Sequence, residues 1–184
     1  MPWTNADGLV VRQPQDFAKN LNGENRTTYL VTYGAINQLE IDVNLAKIAG
    51  GTVNYTSDLN NDNTLDGFNS GDVYIPAGAS VVRVTWVTTE TAVGGTSFTV
   101  GTYLENGTAI GATSLLTATE GVLANVNAVG KRVYGAGSLV AATAGTAGVG
   151  TADAFVGVAT TGTFTAGKGR LIIEYIDGIA DVAP

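Results

Sequence analysis

Apolar and polar residues alternate along several short segments of this 184-residue chain, and a period of two residues is typical of half-buried β-strands. The alternation is strictest in residues 38–45. A shift of one residue would bury the polar side chains of this segment, so we expect the register of the strand to be fixed. The apolar residues, which should face the core, are Leu39, Ile41, Val43 and Leu45.

Residues 72–108 predict three consecutive strands, because β-branched and aromatic residues dominate three runs that turn-forming residues separate. Gly94-Gly95 and Asn106-Gly107 lie between the runs. Gly and Asn tolerate the positive φ of tight hairpin turns, so the pattern predicts an antiparallel meander closed by two hairpins. The runs are 81–88, 96–104 and the segment after Gly107.

Alternation also assigns faces within the predicted strands. Trp86 alternates with Val82 and Val84 and is expected in the core. Near the end of the chain, the apolar set Leu171, Ile173 and Tyr175 alternates with Arg170, Ile172 and Glu174.

The rest of the pattern favours more short strands and almost no helix. Residues 117–128 hold the one helix signal, with Thr119 or Asn125 as its cap. The uncharged span 133–152 has too little Leu, Ile and Phe for a membrane helix, and we interpret it as two short strands around a loop. Roughly eight strands without a crossover helix predict an all-β fold, an antiparallel β-sandwich of jelly-roll-like form. The further strands are expected at 53–56, 73–75, 153–159 and 170–176.

The first 35 residues lack this periodicity, so we predict an N-terminal arm at 1–35 that contacts neighbouring molecules and a single β-sandwich domain at 36–184. Trp3 lies in the arm outside any strand pattern, where a large aromatic residue often anchors a segment in a pocket.

Composition excludes several classes of function. The chain has no His and no Cys, which removes Ser-His-Asp and Cys-His nucleophiles and the usual zinc sites. Nine Lys and Arg against 16 Asp and Glu give a net charge of −7, which disfavours binding to a phosphate backbone. We therefore expect no nucleic-acid partner and no membrane partner.

One loop has oxygen-bearing side chains at alternate positions, as calcium loops of the EF-hand type do. Its sixth position is Asn63 instead of Gly, and its twelfth is Asn69, which cannot supply the bidentate carboxylate unless Asp72 substitutes for it. An ordinary Asx-rich surface turn explains the same residues and is the favoured interpretation. Calcium is the only cofactor considered, and its candidate ligands are Asp58, Asn60, Asp62, Thr64 and Asp66.

Paired carboxylates are the remaining catalytic chemistry, since glycoside hydrolysis needs only two acids at a set separation. The available acids sit at strand edges and turns, and their spacing does not converge on a cleft, so we predict that the chain is not an enzyme. The acids are Asp42, Glu90, Glu105, Glu120, Asp153 and Glu174.

Five segments, taken in order, resemble the capsid decoration (cement) proteins of tailed bacteriophages. Each is loose by itself, and the resemblance depends on their order along most of the chain. The segments are 3–9 (WTNADGL), 74–78 (YIPAG), 96–108, in which 96–101 (TSFTVG), Tyr103 and 107–108 (GT) carry the likeness, 127–130 (NAVG) and 164–175 (FTAGKGRLIIEY). The Asn/Asp-rich loop at 57–72 and the tail at 177–184 depart from the family pattern.

The resemblance implies a homotrimer on the outer surface of a phage capsid, assembled in the host cytoplasm, which bridges neighbouring major capsid proteins. Trp3, Thr4, Asn5, Asp7 and Leu9 of the arm would then contact the partner. A calcium-assisted glycan- or receptor-binding module on a phage or bacterial surface stays open as the alternative, because sandwiches of this size serve unrelated functions.

Overall fold

The structure is a computed structural model, and it describes residues 3–4, 10–11, 30–33, 36–55, 74–140 and 149–176. These residues form strands, a 3-10 turn (Leu45–Lys47) and a four-residue helix, α1 (Leu123–Val126). The strands are β1 (Trp3–Thr4), β2 (Val10–Val11), β3 (Leu30–Tyr33), β4 (Ile36–Asn44), β5 (Val53–Tyr55), β6 (Tyr74–Ile75), β7 (Ser80–Gly94), β8 (Ser97–Tyr103), β9 (Ala109–Leu116), β10 (Arg132–Tyr134), β11 (Ala154–Thr161) and β12 (Phe164–Ile176).

Two antiparallel five-stranded sheets form the sandwich, beside a separate two-stranded sheet of β1 and β2. Sheet I has the strand order β10-β7-β12-β4-β3, and sheet II has the order β5-β11-β8-β9, with β6 also paired to β11. Trp86 of sheet I packs on Phe98 of sheet II with a ring-centroid distance of 4.5 Å, so the inner faces of the sheets share one core. The predicted all-β, antiparallel sandwich is confirmed.

The strand order has a regular form when the eight main strands, β4, β5 and β7 to β12, are numbered one to eight along the chain. Sheet I then reads 1-8-3-6 and sheet II reads 2-7-4-5. Strands one and two, three and four, and seven and eight lie in different sheets, so the chain repeatedly wraps around the core. This strand order is the one that the two Greek keys of a jelly roll produce. We therefore interpret the sandwich as a jelly roll.

The turn at Gly94-Gly95 is not a hairpin, so the predicted meander is wrong at this point. Both glycines have positive φ (72° and 63°), as expected, but β7 before them belongs to sheet I and β8 after them to sheet II. The partner strands β12 and β11 change sheets at the same corner, where the Thr96 N–H donates to the Thr161 carbonyl over 2.8 Å. The second predicted hairpin, at Asn106-Gly107 between β8 and β9, is confirmed.

A bulge in β7 changes the faces that its residues occupy. Glu174 of β12 pairs with Arg83 while Tyr175 pairs with Val81, which leaves Val82 as an extra residue. Val82 is 36% exposed, whereas Trp86 is fully buried. Placing Val82 on the face of Trp86 is therefore wrong, because an inserted residue reverses the alternation beyond it.

Strand β4 and the end of β12 alternate as the sequence predicts. Leu39 and Val43 of β4 are buried, and Leu45 follows them into the core at the start of the 3-10 turn. In β12, Leu171 and Ile173 are completely buried. These two strands are hydrogen-bonded neighbours, so their apolar residues meet on one side of sheet I and their polar residues on the other.

Helix α1 is shorter than predicted, and neither proposed cap is its cap. The residue at the N-cap is Val122, which makes no side-chain capping bond. Asn125 lies inside the helix, where its amide donates to the carbonyl oxygens of Thr119 and Glu120. A helix this short is held by its surroundings instead of by a cap: the Leu123 N–H donates to the Thr96 carbonyl over 2.9 Å.

The span 133–152 matches its prediction only at its start, where β10 ends. Residues 135–140 and 149–152 form no strand, and residues 141–148 lie outside the described part of the chain. Within the described residues, no helix is long and apolar enough to cross a membrane.

The predicted arm is described at three short places. Strands β1 and β2 pair with each other, and β3 pairs with β4 as the edge strand of sheet I. Residues 30–33 of the predicted arm are therefore joined to the sandwich by strand pairing. The division at residue 35 otherwise stays a prediction.

Candidate interaction surface

The outer face of sheet I carries alternating charged residues of four strands. Because the inner residues of β10, β7, β12 and β4 fill the core, the residues between them point outward. We call this surface the charged face. Its charged residues are Glu40, Asp42, Arg83, Glu90, Arg132, Lys168, Arg170 and Glu174.

The register of the sheet sets charges of opposite sign beside each other. Arg83 is the cross-strand partner of Glu174, and its Nη2 lies 2.6 Å from Glu174 Oε1. Lys168 is the partner of Glu90, with 2.8 Å between Nζ and Oε2. Directly opposed charges of this kind stabilise a sheet modestly, since at least one side chain of each pair is about half exposed to solvent.

Arg170 forms ion pairs with two acidic side chains. Its Nε lies 3.1 Å from Asp42 Oδ1 and its Nη1 lies 3.4 Å from Glu40 Oε2. Glu40 also accepts a 2.7 Å hydrogen bond from the Gln38 amide. Two carboxylates of β4 therefore share one guanidinium, and the β4 side of the charged face keeps a negative surplus.

Two pKa values shift because of these pairs. The hydrogen bond from Lys168, with a further one from the Gly167 N–H, lowers the pKa of the Glu90 carboxyl. The hydrogen bond to Glu174 and the attraction of its charge raise the pKa of Arg83. Both shifts favour the charged forms of these side chains.

One end of the charged face is apolar. Ile36 and Ile176 are 40% and 42% exposed, and Val82 of the bulge is exposed beside them. They occupy three neighbouring strands, β4, β12 and β7. Three exposed aliphatic side chains in one place form a patch that a partner could cover.

Part of the outer face of sheet II, around β6, β8 and β11, is different, because its aromatic side chains are largely buried. Phe155 lies between the core residues of β11 and points away from the core, yet it is only 2% exposed. Its cross-strand partners are Tyr74 of β6 and Tyr103 of β8. We call the surface formed by these three aromatic residues the aromatic face.

Glycine makes the aromatic face compact. A Cβ atom at Gly157 would lie 2.5 Å from Cε2 of Tyr103 and 2.8 Å from Cγ1 of Val53. The absence of a side chain at Gly157 lets the Tyr103 ring lie directly on the backbone of β11, as aromatic residues do over strand glycines.

The acids considered for catalysis have structural partners in the described part of the chain. Asp42, Glu90 and Glu174 belong to the charged face. Asp153 Oδ1 accepts the Ala77 N–H over 2.9 Å and so fixes the bend after β6. Glu120 accepts the Thr117 N–H over 2.9 Å. Glu105 lies in the turn between β8 and β9, and residues 36–55, 74–140 and 149–176 contain no cluster of three acids suited to a metal.

The residues proposed for calcium and for partner contact lie almost wholly outside the described residues. Among them, the backbones of Trp3 and Thr4 form β1, which pairs with β2. The calcium and arm hypotheses therefore stay predictions. The positions concerned are Asp58, Asn60, Asp62, Thr64 and Asp66 in the loop, and Asn5, Asp7 and Leu9 in the arm.

Sequence reasoning missed the basic half of the charged face. Arg83, Arg132 and Lys168 were not singled out, although each occupies an outward position of a strand. The signal was available for Lys168 in the alternation of β12. For Arg83 and Arg132 it was not, because a bulge and a three-residue strand hide the period.

Comparison with known proteins gives little further information. No protein family model matches the chain, and no curated protein matches it. The solved capsid asymmetric unit of cyanophage Pam1 is similar, with 14% identity and a TM-score of 0.43 over 96% of this chain and 99% of that chain. A likeness of this degree assigns neither fold nor function to the chain.

Proposed function

We propose that this chain is a structural virion protein that decorates the outer surface of a phage capsid. It stabilises the capsid by bridging neighbouring major capsid subunits, and it acts as a homotrimer. The coarser part of the proposal is a structural role in the virion, and the finer part is decoration of the outside of the shell after assembly in the host cytoplasm.

The observation that carries the proposal is the ordered series of segments that resemble capsid decoration proteins. Their places in the fold support it, because segments far apart in sequence meet in one sandwich. Segment 96–108 contains β8 and the hairpin after it, and segment 164–175 forms most of β12. Phe164, the first residue of segment 164–175, lies next to the residue that precedes segment 96–108, since a Cβ atom at Gly95 would lie 2.5 Å from the Phe164 ring.

A non-enzymatic role fits the chemistry of the described residues. The chain lacks imidazole and thiol groups. The acids that remain hold cations, a bend or a turn in place, as Arg170 with Asp42 and Asp153 with Ala77 illustrate. Carboxylates used in this way stabilise a fold, and their mutual distances are set by the sheet register.

The mechanism is mass action. A protein that binds the assembled shell, and not separate capsid subunits, lowers the free energy of the assembled state by RT ln(1 + [L]/Kd) per site, where [L] is its free concentration. The arm at 1–35 supplies the contact with the shell, with Trp3 as its anchor, and the sandwich stands outward.

Sedimentation with empty heads tests this proposal. The purified chain should pellet with heads at a fixed stoichiometry, and deletion of residues 1–20 should abolish pelleting while circular dichroism still shows a folded sandwich. Trp3→Ala, a smaller change, should weaken binding without changing the melting temperature. Absence of the chain from purified virions would contradict the coarser part, and binding that survives the deletion would contradict the role of the arm.

The alternative function is a calcium-assisted glycan- or receptor-binding module, which rests on the sequence of the loop at 57–72. Calcium should then raise the melting temperature, and Asp62→Asn should remove that increase. A glycan array with and without calcium separates the two functions, because a protein that only decorates the capsid should bind no sugar. Equal melting temperatures in calcium and in chelator would end this alternative.

A further inference from the structure

Charge is distributed unevenly across the charged face. On β4, Glu40 and Asp42 share the single cation Arg170. On β10, Arg132 is exposed, and none of the ion pairs among the described residues includes it. Strands β7 and β12 lie between them, so the opposite surpluses are about 14 Å apart at the usual spacing of about 4.8 Å per strand.

The two surpluses lie in one row of the sheet. Arg132 is opposite Val87, Val87 is opposite Arg170, and Arg170 is opposite Asp42. The row therefore has a positive end on β10 and a negative end on β4. Two copies of such a surface have complementary charges when one copy is rotated so that its positive end faces the negative end of the other.

We propose that the charged face packs on the charged face of a second copy about a two-fold axis parallel to the strands. This rotation exchanges β10 with β4 and β7 with β12 but keeps each position along the strands. Arg132 of one copy then lies over Asp42 of the other.

The same rotation accounts for the apolar end of the face. Val82 lies near the start of β7 and Ile176 lies at the end of β12. Because the two strands are antiparallel, both residues lie at the same end of the sheet. The axis sets Val82 of each copy over Ile176 of the other, so the second copy covers two of the three exposed aliphatic side chains of the patch. One operation thus matches both the charges and the apolar surface.

The size of the face suits a specific but weak contact. Four strands about 4.8 Å apart are about 19 Å wide, and the eight steps from Lys168 to Ile176 are about 27 Å long at about 3.4 Å each. Strand β10 adds only three residues to this area, so two such faces bury about 900 Å² together, which is in the range of weak contacts. The inference does not rest on the proposed capsid role or homotrimer, since it concerns a two-fold contact of the isolated protein that is separate from any three-fold contact.

Charge reversal tests this contact by sedimentation velocity. Wild-type protein should show a concentration-dependent association step, and Arg132→Glu and Asp42→Lys should each weaken that step by about tenfold. The double variant, which reverses both charges, should restore association to within about threefold of wild type. Glu105→Lys, in the turn between β8 and β9, changes the net charge as Asp42→Lys does and should leave association unchanged.

Melting temperatures separate folding from association in this experiment, because both single variants should unfold close to wild type. The proposal is overturned if wild-type protein shows no association step that these charges affect. It is equally overturned if the double variant associates no better than either single variant, or if Glu105→Lys weakens association as much as Asp42→Lys.

Discussion

The charged face and the aromatic face are both outer faces of a sheet, but they have opposite environments. On sheet I, outward residues such as Arg170 are solvated and paired across strands. On sheet II, the outward residues Phe155 and Tyr103 are 2% and 3% exposed. A sheet in a sandwich can therefore bury one face or both, and alternation in the sequence reveals only the first case.

This difference should appear in how each face responds to substitution. The charged face contributes through solvated ion pairs, which stabilise a protein weakly. The aromatic face contributes through apolar burial and close packing, which stabilise it strongly.

Truncating the aromatic face should cost the most stability. Phe155→Ala should lower the free energy of unfolding by about 3–5 kcal/mol, because it leaves a cavity beside Tyr74 and Tyr103. The matched change on the charged face, Ile172→Ala, should cost less than about 1 kcal/mol. Urea denaturation measures both, and Phe155→Leu replaces the alanine variant if that variant does not fold. Equal losses on the two faces would show that the aromatic face is not a packed layer.

Adding one methyl group to the aromatic face should also destabilise the protein. Gly157→Ala should cost about 1–3 kcal/mol, because the new Cβ overlaps the ring of Tyr103. The same change made together with Tyr103→Ala should cost clearly less, since the ring is then absent. A double-mutant cycle in urea measures the coupling. A coupling of zero would mean that Gly157 is present for another reason.

Removing the shared cation of the charged face should have a smaller effect that depends on salt. Arg170→Met leaves Glu40 and Asp42 without it and should cost about 0.5–1 kcal/mol at low ionic strength. The loss should shrink at about 1 M salt, where the Debye length is about 3 Å. Lys168→Met, which breaks one pair, is the control and should cost less. A loss that salt does not change would indicate packing by the Arg170 side chain instead.

The smallest effect should be a pH dependence at Glu90. Its pKa is lowered in the folded protein, so its contribution to stability is present above the ordinary Glu pKa and is lost as the pH falls through the folded value. Glu90→Gln should therefore melt slightly below wild type at neutral pH and equal to it in strong acid. Thermal melts over a pH series measure this difference, and a difference that grows in acid would reverse the assigned sign.

Strand identity could be predicted wherever one face of a strand is solvated. The pattern of β4 indicated both the strand and its buried side, and Leu39 and Val43 confirm it. Turn conformation was predictable too, since Gly94-Gly95 and Gly107 have the positive φ expected of them. What could not be predicted is which strands these turns join, because the same φ serves a hairpin and a crossing between sheets.

The surface was harder to predict than the fold. Arg83 and Glu174 are 91 residues apart in sequence, and only the pairing of β7 with β12 brings them together. Within β7, the bulge at Val82 turns an expected core position outward. The loop at 57–72, for which calcium binding is a hypothesis, and most of the predicted arm lie outside the described residues.

The sequence by itself determined the class of fold, the exclusion of imidazole and thiol chemistry, and the inward residues of the regular strands. These properties depend on composition and on a local period of two, which each segment carries alone. The tertiary structure decided the sheet to which each strand belongs, the ion pairs of the charged face and the burial of the aromatic face. The reason is physical: strand pairing joins segments that are distant along the chain, so no local pattern specifies it.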